Sequence, residues 1–298
     1  MRTDQPSRTA EHMALFRALE TARPTRERLF EDPFAKQFLG WKYRAVAEAA
    51  RIPAMGRAIR AYIDRQWPGA RASGVARTRW IDDELRTALC DGAEQVVILG
   101  AGFDTRGYRM EELRGKRVIE VDHPNTMRVK RARLAGCERR CGERVTRVPV
   151  DLSRDSLEDA LRRGGYDRGA KTVFLWEGVT NYLLEAAVRR TLGTIADAAP
   201  GSWAIFTYVH SDVLRAPEKF AGGLRLTRML EAIGEQWTFG LDPAEANDFV
   251  ASTGLRLIED VGSVDYRARY MGATGEHMRG YEFYRAAVAR TVGATVHA

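Results

Sequence analysis

The spacing of hydrophobic residues changes at about residue 92. Up to Asp91 the apolar residues recur three and four positions apart, with prolines between the runs. This spacing places apolar side chains on one face of a helix. Residues 1–91 are therefore predicted to form a helical N-terminal cover.

From Gln95 onward, short apolar runs alternate with amphipathic stretches. The runs with strand character are "QVVILGA", "RVIEVD", "VTRVPVD", "KTVFLWE", "SWAIFTYV", "LRLIEDVG" and "GYEFYRAAVAR". Such alternation favours an α/β fold with a mostly parallel sheet and helices on both faces. We predict that residues 92–298 form this core, in one compact unit with the cover, and that "SVDYRARYMGATGEHM" is a long connection.

Residues 210–240 form a long segment without strand character. A stretch of that length is uncommon in a compact domain unless it folds over a binding site. We therefore expect this segment, which we call the lid segment, to form helices over the site.

The first strand runs into Gly100-Ala101-Gly102, and two glycines let the backbone turn tightly and approach a ligand closely. A dinucleotide fingerprint requires a third glycine at position 105, where this chain has Thr105. Asp104, in the same turn, would repel a pyrophosphate but attract a cation. S-adenosylmethionine has a sulfonium and an ammonium group and no phosphate. The loop favours this methyl donor, and a nicotinamide-dependent oxidoreductase is the alternative.

Acidic residues end the strands that follow. Asp122 comes 20 residues after Gly102, where a carboxylate can accept both ribose hydroxyls of an adenosine ligand. The third strand ends in Asp151-Leu152, which could offer an acceptor and an apolar edge to adenine. Glu177 ends the fourth strand. Because the carboxyl ends of parallel strands share one edge of a sheet, these residues are expected to lie together.

The chain has 298 residues, 45% of them hydrophobic, which is enough for a sizeable core. No run is long and apolar enough for a membrane span, and the N-terminus lacks the apolar core of a signal peptide, so we expect a cytoplasmic protein. Its net charge is +7. The densest basic block, Arg128 to Arg147, includes two glutamates and no aromatic residue to stack on bases. A solvated helical face is therefore favoured over a nucleic-acid interface.

The three cysteines, Cys90, Cys137 and Cys141, are few and odd in number, which argues against a disulfide framework. Cys137 and Cys141 could be combined with His123 as metal ligands, but no second Cys/His pair follows them. We expect no metal site.

The segments "GAGFDTRGYRM", "EVDHP", "VPVDL" and "FLWEGVTNYL", preceded by "ARTRWIDD", resemble those of the leucine carboxyl methyltransferase family. The resemblance covers nearly the whole chain, and the family's bacterial branch includes polyketide carboxyl methyltransferases of the tetracenomycin type. It implies a class I S-adenosylmethionine-dependent methyltransferase fold, with a seven-stranded sheet whose last strand is antiparallel.

The resemblance also implies roles for the residues singled out above. The glycine loop with Gly100, Gly102 and Asp104 would hold the donor backbone, and Asp122 its ribose. Asp151 and Leu152 would bind the adenine end, and Glu177 the methionine ammonium. Arg77 would bind the donor carboxylate, with Arg79 as the second candidate.

The resemblance does not identify the methyl acceptor. We favour a small-molecule acid of polyketide-like character. A carboxylate is already ionised at neutral pH, so the reaction requires positioning rather than a general base. Tyr182 is expected to line the acceptor pocket, and His210 could act as a base on a phenolic acceptor. Arg109 or Arg228 could pair with an acceptor carboxylate. A non-catalytic binding protein on the same fold is a further alternative, and the oligomeric state is left open.

Overall fold

The computed structural model describes residues 8–136, 145–152 and 154–292. Seven described strands form one sheet in the order β3-β2-β1-β4-β5-β7-β6. The strands are β1 Gln95–Leu99, β2 Arg117–Asp122, β3 Val145–Pro149, β4 Thr172–Trp176, β5 Trp203–Val209, β6 Leu255–Gly262 and β7 Tyr284–Thr291. β7 runs antiparallel to β5 and β6, and the other described pairings are parallel. The predicted seven-stranded, mostly parallel sheet is confirmed.

Helices cover both faces of this sheet and its carboxyl edge. The described α-helices are α1 Arg8–Thr21, α2 Trp41–Ala49, α3 Pro53–Gln66, α4 Ala70–Cys90, α5 Arg106–Arg109, α6 Pro124–Leu134, α7 Leu157–Arg163, α8 Glu185–Ala196, α9 Asp212–Arg215, α10 Gly223–Ile233, α11 Ala246–Ala251 and α12 Ser263–Glu276.

The central strand β1 is buried on both faces. Val97 and Leu99 pack into the core with α7, α8 and α11, whereas Val96 and Ile98 pack into the core with α4 and α12. An uninterrupted apolar run is the pattern expected of a strand covered on both sides. Its carboxyl end is therefore the part of β1 that is left to meet a ligand.

The first three helices pack at that carboxyl edge. Buried residues of α1 and α2 share a third core with residues of the loop after β1 and of α6. Phe38 stacks on Phe103 of that loop with a centroid distance of 4.5 Å. α4 differs, since Trp80 and Leu85 pack on the sheet itself. The helices before β1 thus include one sheet-packing helix as well as the layer over the loop.

The expectation of a long connection after β6 was wrong. The segment forms α12, whose buried residues include Tyr266 and Arg267. Tyr270 also donates a hydrogen bond to Asp83 of α4 at 2.9 Å. Because the buried face of α12 is rich in polar side chains and its backbone departs from helical angles at Gly272, hydrophobic spacing does not reveal the helix.

Candidate functional site

A cavity of about 1050 Å³ opens at the carboxyl ends of β1, β2 and β4. Eight of the candidate site residues from the sequence line it, namely Arg77, Gly100, Gly102, Asp104, Arg109, Asp122, Glu177 and Tyr182. The cavity is at the upper end of the size range of pockets that bind cofactors and drug-sized ligands. The structure therefore brings residues from five separate parts of the chain to one site.

The loop after β1 requires glycine at its first position. Gly100 has φ +61° and Gly102 has φ +38°, in the region that side chains other than glycine rarely adopt. A Cβ atom on Gly100 would also collide with the side chain of Val179. The loop therefore exposes its backbone to the cavity at a point where no side chain could fit.

Asp122 joins the end of β2 to this loop. Its carboxylate accepts hydrogen bonds from the backbone amides of Gly102 and His123, the latter at 2.6 Å. Burial raises the pKa of Asp122 above its ordinary value, although the two amides act in the opposite direction. Two donors hold the carboxylate in a fixed orientation at the cavity wall, where its remaining lone pairs can accept hydroxyl groups.

Glu177 lies between two arginines. It accepts hydrogen bonds from Nε of Arg77 and from Nη1 of Arg106, both at 2.9 Å. Burial opposes ionisation of Glu177, but the charges of Arg106 and Arg77 outweigh it and lower the pKa of the carboxyl. Glu177 is therefore an anion at neutral pH.

Arg106 is buried and was missed by the sequence analysis. It also pairs with Asp104 and with Asp82, the latter at 2.8 Å, and Asp82 accepts from Arg109 at 2.7 Å. Burial disfavours the charged form of Asp104, yet Arg106 and Lys130 lower its pKa to about 2. Three arginines and three acids thus neutralise one another at this end of the cavity.

The geometry distinguishes the two arginines considered for the donor carboxylate. Arg77 lines the cavity and lies 5.0 Å from the ring centre of Tyr284. Arg79 is outside the described lining and pairs with Asp83 at 3.0 Å. The arginines considered for the acceptor separate as well, because Arg109 lines the cavity and Arg228 is exposed outside the lining.

Asp151 and Leu152 follow β3 at the same edge but lie outside the described lining of the cavity. The amide of Val150 donates to the carbonyl of Asp122 at 2.8 Å, so the chain continues beside the end of β2. Leu152 packs against the core. Their assignment to adenine stays a prediction.

The cover is joined to the glycine loop by hydrogen bonds that residue spacing did not predict. Thr105 donates to Asp32 at 2.7 Å, and Asp32 accepts from Arg17 at 2.8 Å. Arg17 also donates to the carbonyl of Phe103 at 2.6 Å. Thr105, which stands where a dinucleotide loop has its third glycine, therefore links the loop to the cover by a hydrogen bond. The close helix packing is provided by Gly107, where a Cβ would lie 2.9 Å from the side chain of Val145.

A buried ion pair supports the loop from behind. Lys130 of α6 lies 2.7 Å from Glu120 of β2 and donates to the carbonyl of Ala101 at 3.3 Å. Tyr108 donates to the same glutamate at 3.0 Å. In the sequence, the one sign of this ion pair is that Glu120 interrupts the apolar run of β2.

One group of cavity-lining residues is largely aromatic, and we call it the acceptor side. Its walls come from the cover, the lid segment and the chain before β7, and they include Tyr43, Tyr62, Trp67, Tyr182, Leu226, Met229, Leu230, Trp237, Tyr281 and Tyr284. Tyr182 and Thr9 both donate to Glu235 of the lid segment at 2.9 Å. His210 is outside the described lining, and its Nδ1 accepts from the amide of Asp212 at 3.1 Å.

From the sequence we expected neither a metal site nor a membrane-spanning segment. Within residues 8–136, 145–152 and 154–292, no three His, Cys, Asp or Glu side chains are grouped as metal ligands would be. Cys137 and Cys141 lie outside the described residues. No helix in the described ranges combines the length and the apolar character needed to cross a bilayer.

Residues 10–196 match the family model described as leucine carboxyl methyltransferase. A protein of Frankia alni that bears the name of an S-adenosyl-L-methionine-dependent methyltransferase is 38% identical over 219 residues. That alignment spans 72% of this chain and 74% of the relative.

Two solved structures resemble the whole fold. A methyltransferase structure from Thermobifida fusca has a TM-score of 0.58 at 20% identity and covers 92% of this chain and 97% of its own. A DUF574 family protein from Streptomyces avermitilis has a TM-score of 0.56 at 19% identity, with 92% and 99% covered. The predicted class I methyltransferase fold is confirmed.

Proposed function

The chain belongs to the leucine carboxyl methyltransferase family and uses S-adenosyl-L-methionine, and from this premise we propose that it methylates a carboxylate of a small, apolar, polyketide-like acid. The observation that carries the proposal is the acceptor side, an aromatic compartment continuous with the charged end of the same cavity. An aromatic wall suits a flat apolar acceptor.

The charged end fits the donor. S-adenosyl-L-methionine ends in an ammonium and a carboxylate, and Arg77 and Glu177 form a matching pair of opposite charges 2.9 Å apart. We assign the donor carboxylate to Arg77 and the ammonium to Glu177. Asp122 is assigned to the ribose hydroxyls, since its carboxylate is held at the cavity wall by two amides. Gly100, Gly102 and Asp104 provide the loop around the donor, and Asp151 with Leu152 the adenine end.

When bound, S-adenosyl-L-methionine supplies a methyl group that passes to the acceptor oxygen as the carbon–sulfur bond breaks, leaving a neutral thioether. A carboxylate needs no deprotonation for this reaction at neutral pH. The chain's own residues therefore have to orient the acceptor and exclude water, which the aromatic walls and the lid segment can do. Burial, followed by Tyr284 and then by the charge of Glu235, raises the pKa of Tyr182, so that hydroxyl remains a hydrogen-bond donor.

The test compares acids with phenols on the same carbon skeleton, for example 2-naphthoate with 2-naphthol. The protein is incubated with each and with methyl-labelled donor, and the product is treated with alkali, which releases the label from a methyl ester but not from an aryl ether. We expect labelled ester and no ether. Ether alone, or no transfer to any acid by a protein that binds S-adenosylhomocysteine, would refute carboxylate methylation.

A phenolic acceptor is the second candidate, and His12 is the observation that favours it. This histidine lines the cavity, and its Nε2 lies 3.1 Å from the hydroxyl of Tyr43. An imidazole can take a proton near neutral pH, as a phenol acceptor would require. Under this alternative, His12→Gln would abolish ether formation, whereas ester formation would persist in the same variant.

A further inference from the structure

One arginine of the cavity has no acidic partner in the part of the chain that the structure describes. Arg225 of α10 lies on the acceptor side, 4.0 Å from the ring centre of Trp67, and donates to the carbonyl of Gln66. The other arginines of the described lining, Arg17, Arg77, Arg106 and Arg109, each pair with an acid. Arg225 is thus the lining arginine whose charge is available to an acceptor.

Arg225 is also separated from the charged end of the cavity with Arg77 and Glu177, which we call the donor end. Arg77 lies over Tyr284, and Tyr284 stacks on Tyr281 with a centroid distance of 6.0 Å and an interplanar angle of 4°. Burial, followed by Tyr284, raises the pKa of the Tyr281 hydroxyl, and the charge of Arg225 opposes that rise. Two stacked rings therefore lie along the wall between the two guanidinium groups.

The contact with Trp67 prepares Arg225 for an anion. The guanidinium carbon lies over the indole and Nη1 donates to the carbonyl of Gln66, and the remaining N–H groups can donate to the oxygens of a carboxylate. The contact between Trp67 of the cover and Arg225 of the lid segment also restricts the side chain before any ligand binds.

We propose that Arg225, placed over the ring of Trp67, binds a second carboxylate at the far end of the acceptor. The acceptor is then a dicarboxylic acid with a flat apolar body, methylated at the carboxylate nearer the donor. This inference rests on the proposed function, because it specifies the acceptor of the same site.

The test uses two probes with one skeleton, naphthalene-2,6-dicarboxylate and 2-naphthoate. Their affinities are measured calorimetrically on protein saturated with S-adenosylhomocysteine. Arg225 is exposed, so we expect the dicarboxylate to bind about three- to fivefold more tightly, as a charge-assisted pair at an exposed site would give. Arg225→Gln should remove this preference while leaving the affinity for S-adenosylhomocysteine unchanged.

Arg228→Gln is the matched control, because Arg228 is on the same helix, is exposed and lies outside the described lining. This variant loses the same charge and should keep the preference. Equal binding of the two probes by the unaltered protein, or a preference that survives in Arg225→Gln or disappears in Arg228→Gln, overturns the assignment.

Ester formation on 2-naphthoate is followed in parallel. If this ester forms but the dicarboxylate is not preferred, the second carboxylate site is refuted and the carboxyl methyltransferase proposal stands. If the dicarboxylate is preferred through Arg225 but neither acid is methylated, the binding site stands and the proposed reaction is refuted.

Discussion

At the scale of single residues, the donor end of the cavity contains charges that already pair with one another. Glu177 lies between Arg77 and Arg106, and Arg106 also contacts Asp104 and Asp82. A buried charge is costly unless it has a partner. The pairing keeps these groups ionised and oriented at the cavity wall, so that a charged ligand can exchange for an existing partner.

Asp122→Asn tests the assignment of the ribose. We expect the affinity for S-adenosylhomocysteine to fall about 10- to 100-fold, because hydrogen bonds to a charged acceptor contribute about 1.5 to 3 kcal/mol. Isothermal titration calorimetry gives this affinity. Asp197→Asn, an exposed aspartate outside the described lining, should bind as the unaltered protein does. An unchanged affinity in a folded Asp122→Asn protein would remove Asp122 from the donor site.

Asp104 predicts a pH dependence of stability. Its pKa is about 2 in the folded protein against an ordinary 3.8, a difference of about 2 kcal/mol. Because the folded pKa is the lower one, this stabilisation is present above about pH 4 and is lost as the pH falls toward 2. Urea unfolding should show Asp104→Asn less stable by about 2 kcal/mol at pH 7 and by about half of that at pH 3. If the difference in unfolding free energy between the two proteins is the same at pH 3 as at pH 7, this explanation is contradicted.

At the scale of elements, the turn from β1 into α5 depends on a collision that only glycine avoids. Gly100→Ala should cost about 3 kcal/mol, the sum of a strained positive φ and overpacking against Val179. Gly92→Ala is the control, since φ is +91° there but nothing lies within 4 Å of the added Cβ. It should cost about 1 to 2 kcal/mol and leave donor binding intact.

Chemical denaturation and S-adenosylhomocysteine titration measure both effects. Adding Val179→Ala to Gly100→Ala should restore part of the lost stability, because the collision is removed while the backbone strain remains. If Gly100→Ala and Gly92→Ala destabilise equally, the contact with Val179 does not limit the turn.

The elements also show what the sequence could predict. The strand β1, its glycine turn and Asp122 were predictable because local spacing determines them. Arg106 and Lys130 were not, since their partners Asp82, Glu177 and Glu120 come from elements whose proximity depends on the completed fold. Residue spacing indicated which acids reach the sheet edge but carried no information about which cations meet them.

At the scale of the molecule, Asp32 connects the N-terminal cover to the glycine loop by hydrogen bonds. This buried carboxylate contacts Arg17 and Thr105 and does not line the cavity. Asp32→Ala should cost about 3 to 5 kcal/mol, because it leaves Arg17 buried without an acid. It should also weaken binding of S-adenosylhomocysteine, since the glycine loop loses its support.

Glu31→Ala provides the comparison, because the adjacent Glu31 pairs with Arg28 at the surface. It should cost less than 1 kcal/mol. Thermal and urea unfolding of both variants, with donor titrations, measure the difference. Similar small costs for the two substitutions would show that the contact between cover and loop contributes little.

The pair formed by Arg77 and Glu177 has a consequence for turnover. In our assignment these residues hold the ammonium and carboxylate of the donor, and the spent donor has the same two groups. Recognition through this pair cannot distinguish S-adenosylmethionine from S-adenosylhomocysteine. On this assignment we expect the by-product to inhibit in competition with the donor, so that sustained turnover would require its removal.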